Sequence, residues 1–177
     1  MVNYRKHKKL LKVVCKYILI LFVVIFLLPE KLLIPVVGAD YQNWDRNSYW
    51  FYPWGKSITH KGIDIFSIKK TPIISPTYGI IIETNESNDG GNYICLLGPK
   101  WRVHYFAHLD TIFIKEYTFV NRGDTIGTVG NTGNAWEKEP HLHYSIMSII
   151  PYPWLYDEFA KQGWKKMFYL NPADCFK

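Results

Sequence analysis

The sequence predicts a mostly β domain of antiparallel strands, carried behind one N-terminal hydrophobic helix. Three observations point there. A basic tail runs directly into an unbroken apolar stretch, Tyr17–Leu28. From about residue 73 onward, short runs rich in β-branched and aromatic residues alternate with clusters of Gly, Asn, Asp and Pro. That is the rhythm of hairpins rather than of strand–helix–strand units. The 177 residues suffice for one domain with a real core and are few for two.

The N-terminus comes first. Residues 1–16 hold Arg5, Lys6, Lys8, Lys9, Lys12 and Lys16 and no acid. These are six of the 21 Lys and Arg, so the remainder carries 15 bases against 15 acids. The net charge of +6 therefore belongs to the tail. A formally neutral body gives little support to the basic face that a nucleic-acid reader shows, and no nucleic-acid partner is expected. The apolar run of 12 residues is short for the ~20 that a bilayer requires. Counting from Leu10, with Lys12 and Lys16 reaching back to the interface, it becomes long enough. The expected organisation is a cytoplasmic tail at 1–16, a signal anchor at 17–38 and an exported domain at 40–177, oriented by the Lys/Arg asymmetry. A signal peptide cleaved near Val37-Gly38-Ala39 is the alternative, and it exports the same domain.

Glu30–Asp40 reads as a short linker. Tyr41–Gly55, with Trp44, Tyr49, Trp50, Phe51, Tyr52 and Trp54, reads as irregular chain packed on the domain or walling a cleft. Strands are expected at Tyr78–Glu83, Tyr93–Leu97, Trp101–His108 and His141–Met147. The turns between them are marked by Asn88–Asn92, Gly98-Pro99-Lys100 and Asn121–Asp124. Asp157–Phe168 is expected to form a short helix. Cys95 and Cys175 could pair in an exported domain, although sequence does not show proximity. Cys15 belongs to the tail.

Two clusters carry chemistry. One is His60-Lys61-Gly62-Ile63-Asp64, the other Pro140-His141-Leu142-His143-Tyr144. In a strand, His141 and His143 fall on one face, with Ser145 and Met147, because side chains alternate. Two imidazoles and a carboxylate suit zinc, and three protein ligands leave a fourth position for water. A third element, Tyr105-Phe106-Ala107-His108-Leu109, adds a histidine at a strand end. A zinc hydrolase needs groups beyond its ligands to move a proton and steady an oxyanion, and the set supplies them. His104 shares strand parity with His108, but it reads as an ordinary cross-strand residue. Gly123–Gly133 lacks the Lys-Ser/Thr ending of a P-loop and reads as tight β-turns.

In order and spacing, His60-x-x-x-Asp64, Tyr105-x-x-His108-Leu109, Gly123-Asp124-x-x-Gly127-x-x-Gly130-Asn131-Thr132-Gly133 and Pro140-His141-Leu142-His143-Tyr144 resemble the lysostaphin/LytM-type zinc metallopeptidases. The resemblance covers about residues 50–148. It implies an antiparallel β-sheet cradling a groove, and hydrolysis of peptide bonds in the stems or bridges of bacterial peptidoglycan. It implies that His60, Asp64 and His143 bind one zinc ion and that His108 and His141 are the catalytic pair. With about 20 residues between anchor and His60, no inhibitory pro-segment or wall-targeting module is expected ahead of the domain. The competing reading is a non-catalytic domain of the same fold that activates another wall hydrolase. A regulatory protein partner is left open.

Overall fold

The β-branched runs pair into a single nine-stranded sheet. A computed structural model describes residues 2–28 and 30–176. Among them are one α-helix, α1 (Val2–Leu27), and strands β1 (Ile63–Phe66), β2 (Pro72–Ile74), β3 (Gly79–Ser87), β4 (Gly91–Gly98), β5 (Arg102–Ile112), β6 (Phe119–Val120), β7 (Thr125–Val129), β8 (His141–Ser148) and β9 (Tyr169–Leu170). The main path runs β1-β8-β5-β4-β3-β6, β7 joins β2 and β5, and β9 joins β8. Every pairing is antiparallel.

Alternation divides the two faces. On β8, Leu142, Tyr144 and Ile146 are fully buried in the core, beside Phe106 of β5 and Ile63 and Ile65 of β1. The intervening His141, His143, Ser145 and Met147 face a cleft, as their strand period requires. The expected strand at Trp101 starts one residue later. Pro99–Trp101 forms a 3-10 turn, with Lys100 and Trp101 at positive φ.

Two expectations are corrected. The stretch read as a linker is part of the domain. Leu32 and Val36 are buried core residues, and they bridge to Phe176 and Ile73. Glu30, at the start of that stretch, pairs with Arg102 and lies 3.4 Å from His104 Nε2; its side chain is only 2% exposed. Second, no α-helix forms at 157–168 among the described residues. Gln162 adopts a left-handed conformation, and Gly163 then folds so closely on the Asp157 carbonyl that no Cβ would fit. A 3-10 run, Gly163–Phe168, follows instead. The sequence left the pairing of Cys95 and Cys175 open, and both are free thiols. Cys95 lines the cleft, whereas Cys175 packs against the core.

In α1, His7–Leu27 is apolar enough to cross a membrane. At 1.5 Å per residue its 21 residues span about 32 Å, close to the thickness of a bilayer's hydrocarbon.

Candidate metal centre and its cleft

Sheet register builds the site. Asp64 on β1 lies directly opposite His143 on β8, and His143 lies opposite Ala107 on β5. His60 comes from the loop before β1. Its chain is fixed by a hydrogen bond from Trp50 N to its carbonyl and one from its own N to Phe51 O. Three ligand-capable atoms converge there. His60 Nε2 and Asp64 Oδ1 are 3.1 Å apart, His60 Nε2 and His143 Nδ1 are 3.0 Å, and His143 Nδ1 and Asp64 Oδ1 are 2.8 Å.

The donor set fits a metal ion. A tetrahedral ion with ~2.0 Å bonds separates its ligands by about 3.3 Å, near the observed spacing. The outer hydrogen bonds also agree. His60 Nδ1 lies 2.9 Å from Ser48 O. A carbonyl only accepts, so Nδ1 carries the proton and the Nε2 lone pair faces inward, as in metal-binding histidines. Burial by itself would raise the Asp64 carboxyl, but the adjoining His143 and His60 rings outweigh it and hold the carboxyl far below the usual range. His143 is pushed down by burial, partly offset by Asp64. An ionised carboxylate and a neutral imidazole are the forms that bind metal.

Two more histidines face this cluster. His108 Nδ1 lies 2.9 Å from Thr132 O, and His141 Nδ1 lies 2.7 Å from Glu139 O. By the same logic both rings donate from Nδ1 and present Nε2 to the cleft. Their centroids are 5.0 Å apart, and His108 is 6.1 Å from the His143 ring. Burial, then the charges of His143 and His141, lowers His108 to about 4, so it is an unprotonated base at neutral pH.

The structure brings together all five residues singled out in the sequence: His60, Asp64, His108, His141 and His143 all line one cleft of about 400 Å³. His104 is excluded from it. Its side chain is fully buried, with Nδ1 2.7 Å from the Tyr144 hydroxyl on the core side. His104 and His108 are four residues apart, yet face opposite ways, because His108 sits at φ 65° in an irregular stretch of β5. There, Phe106 and Leu109 span three steps while their β4 partners, Ile94 and Asn92, span two. The extra residue is a β-bulge that re-aims the following side chain. Trp54, from the stretch expected to pack on the domain or wall a cleft, does wall it, whereas sequence reasoning passed over Tyr105 and Tyr169. Trp54 stacks on the His60 ring at 4.1 Å, while Trp44 and Trp50 of the same aromatic stretch are buried. Tyr105 was legible by parity with Ala107 once β5 was paired to β8. Tyr169 had no local signal, since it arrives by the pairing of β9.

An antiparallel β-domain whose cleft holds a His-Asp-His cluster beside two further imidazoles has the architecture of the metallopeptidase class. The chain is a member of peptidase family M23, whose family model matches residues 58–151, just over half of its length. It is 32% identical over 88 residues to the peptidoglycan DD-endopeptidase ShyA of Vibrio cholerae, covering 50% of this chain and 20% of that protein. It is 33% identical over 117 residues to the L-Ala–D-Glu endopeptidase of Bacillus subtilis, covering 58% and 36%. The crystallised catalytic domain of lysostaphin from Staphylococcus simulans superposes with a TM-score of 0.54 at 32% identity, over 62% of this chain and 86% of that one. The matched region spans only about a fifth to a third of the curated relatives' own lengths.

Proposed function

We propose that the chain is a zinc-dependent endopeptidase that hydrolyses peptide bonds in peptidoglycan, held by α1 in a membrane with its domain on the outer side. The observation that carries the chemistry is the triangle of His60 Nε2, Asp64 Oδ1 and His143 Nδ1, each atom about 3 Å from the others. Two nitrogens and one carboxylate oxygen favour zinc over hard cations such as calcium or magnesium. The substrate class rests on the relatives: one is named a peptidoglycan DD-endopeptidase and the other an L-Ala–D-Glu endopeptidase.

His60, Asp64 and His143 would hold the ion, which when bound lowers the pKa of a coordinated water to about 7 and polarises the scissile carbonyl. His108 accepts the proton of the attacking water at Nε2, which is free because Nδ1 is committed to Thr132 O. It can then return that proton to the departing amine nitrogen. His141, committed through Nδ1 to Glu139 O, points Nε2 at the same space, and in imidazolium form it donates to the developing oxyanion. Trp54 and Tyr105 line the cleft and offer aromatic surface to the substrate.

The test is digestion of purified peptidoglycan by the full chain in detergent, with and without chelation, followed by mass analysis of the released fragments. New peptide ends that vanish on chelation and return with zinc are expected. Intact peptidoglycan after zinc loading would overturn the enzymatic reading, and would favour a domain that acts through another hydrolase.

A further inference from the structure

Outside the cleft, the most unusual surface lies where the helix meets the domain. Trp101 stacks on Phe22 of α1, with ring centroids 4.9 Å apart and planes inclined by 19°. Its indole N–H donates to the Phe22 carbonyl at 3.1 Å. Beside this contact, Ile25 and Leu28 from the helix end form an apolar groove with Tyr78, Leu97, Trp101 and Phe119. Phe119 and Tyr78 of the groove, and Tyr117 two residues before Phe119, are exposed, by 80%, 42% and 74%. Lys31, Lys100 and Arg122 stand in the same segments, and Arg122 Nε donates to Lys31 O at 3.0 Å. Of the acids in these segments, Glu30 is paired with Arg102, and Asp124 and Glu116 accept from the backbone N–H groups of Asn121 and Thr84.

We infer that this face is a membrane-docking surface, so that the domain lies against the lipid from which α1 emerges rather than swinging free of it. The inference rests on the anchor reading above. The reason is depth. Phe22 lies five residues before the end of α1 at Leu27, or about 7–8 Å at 1.5 Å per residue. If α1 spans the bilayer, Phe22 is below its surface, and whatever touches Phe22 is at that depth too. Trp101 and the turn Pro99–Trp101 therefore enter the interface together with the helix. The neighbouring side chains suit that place: tryptophan and tyrosine rings concentrate at the water–lipid boundary, and lysines and arginines there meet anionic headgroups. Continuity with the span names the occupant as lipid. A second copy of the chain would have no comparable reason to meet Trp101 at the depth of Phe22.

Docking also limits the reach of the cleft. His108 is seven residues along the chain from Trp101, which bounds their separation at about 25 Å. The catalytic cleft would be kept that close to the membrane, and would act on peptidoglycan peptides presented near it.

The full chain in vesicles tests this, with a photo-reactive amino acid placed in turn at Phe119, at Tyr117 and, as a remote control, at the 93% exposed Phe159. Retention in the membrane at high pH is measured on the same samples. Lipid adducts several-fold more abundant at 119 and 117 than at 159, on a chain that resists extraction, are expected. Extraction at high pH would overturn anchor and docking together. A retained chain with equal adducts at all three sites would overturn docking alone. Copy-to-copy cross-links at 119 in place of lipid adducts would make the face a self-interface and overturn the lipid assignment.

Discussion

Each imidazole of the cleft is fixed by the group behind it. Ser48, Thr132 and Glu139 offer carbonyls to the Nδ1 atoms of His60, His108 and His141, so three tautomers are imposed by backbone. The division of labour predicts a split between variants. His60→Ala, Asp64→Ala and His143→Ala should each lower the zinc content of the purified chain from about one equivalent. His108→Ala and His141→Ala should keep the metal and lose hydrolysis by about 10²–10⁴-fold, the usual contribution of an acid–base group; metal analysis beside fragment release separates the two sets. His104→Ala should retain metal and activity within a few-fold in material that folds. Acid acts on the same residues. His108 is lowered from 6.5 to about 4, so the unfolded chain takes up this proton first. Stability associated with it is complete above about 6.5 and is lost as pH falls toward 4, by up to roughly 3 kcal/mol. Asp64, also lowered, acts in the same direction at still lower pH. Urea midpoints of the zinc-free chain should fall across that window. Hydrolysis should fall in mild acid through proton competition for the zinc ligands, with partial recovery in excess zinc.

At the level of elements, the bulge in β5 is what brings His108 into the cleft, and Gly130 makes room for it. A Cβ on Gly130, just past β7, would collide with the backbone of His108, Leu109 and Asp110. Gly130→Ala should therefore shift the bulge, costing about 2 kcal/mol or more and reducing hydrolysis more than zinc binding. Thermal melts and activity read the two effects. The segment 30–36 is a second case. Glu30 and Arg102 form a mostly buried ion pair. Burial alone would raise the Glu30 carboxyl, yet His104 and Arg102 hold it below its usual value. Glu30→Ala leaves Arg102 with a charge and no acid, and should destabilise by about 3 kcal/mol, measurable in urea. The charge pattern of residues 30–40 did not show this, because the partners lie some seventy residues away on β5. The missing helix at 157–168 has a similar origin. The chain there serves distant groups, with Lys161 O accepting from the Trp50 indole and Gln162 Oε1 from the Thr59 hydroxyl. Those contacts brace the loop that carries His60.

For the whole molecule, charge asymmetry predicts the amino terminus inside and the domain outside. Reporter fusions placed after residue 45 should read extracytoplasmic, and recovery of a soluble form beginning near Asp40 would instead mark a cleaved signal peptide. That much follows from composition along the chain, as do the β class, the strands around residues 79–98 and 102–148, and the five cleft residues. Alternation, turn chemistry and ligand spacing are local properties, and residue identities express them directly. Which face each strand buries was local too, until β5 broke its period at His108. The positive φ there, the burial of His104 against Tyr144, and the arrival of Tyr169 and Glu30 at their places were decided only by tertiary structure. Each depends on close approach between segments far apart in sequence, where the steric and electrostatic cost of one segment is set by atoms of another.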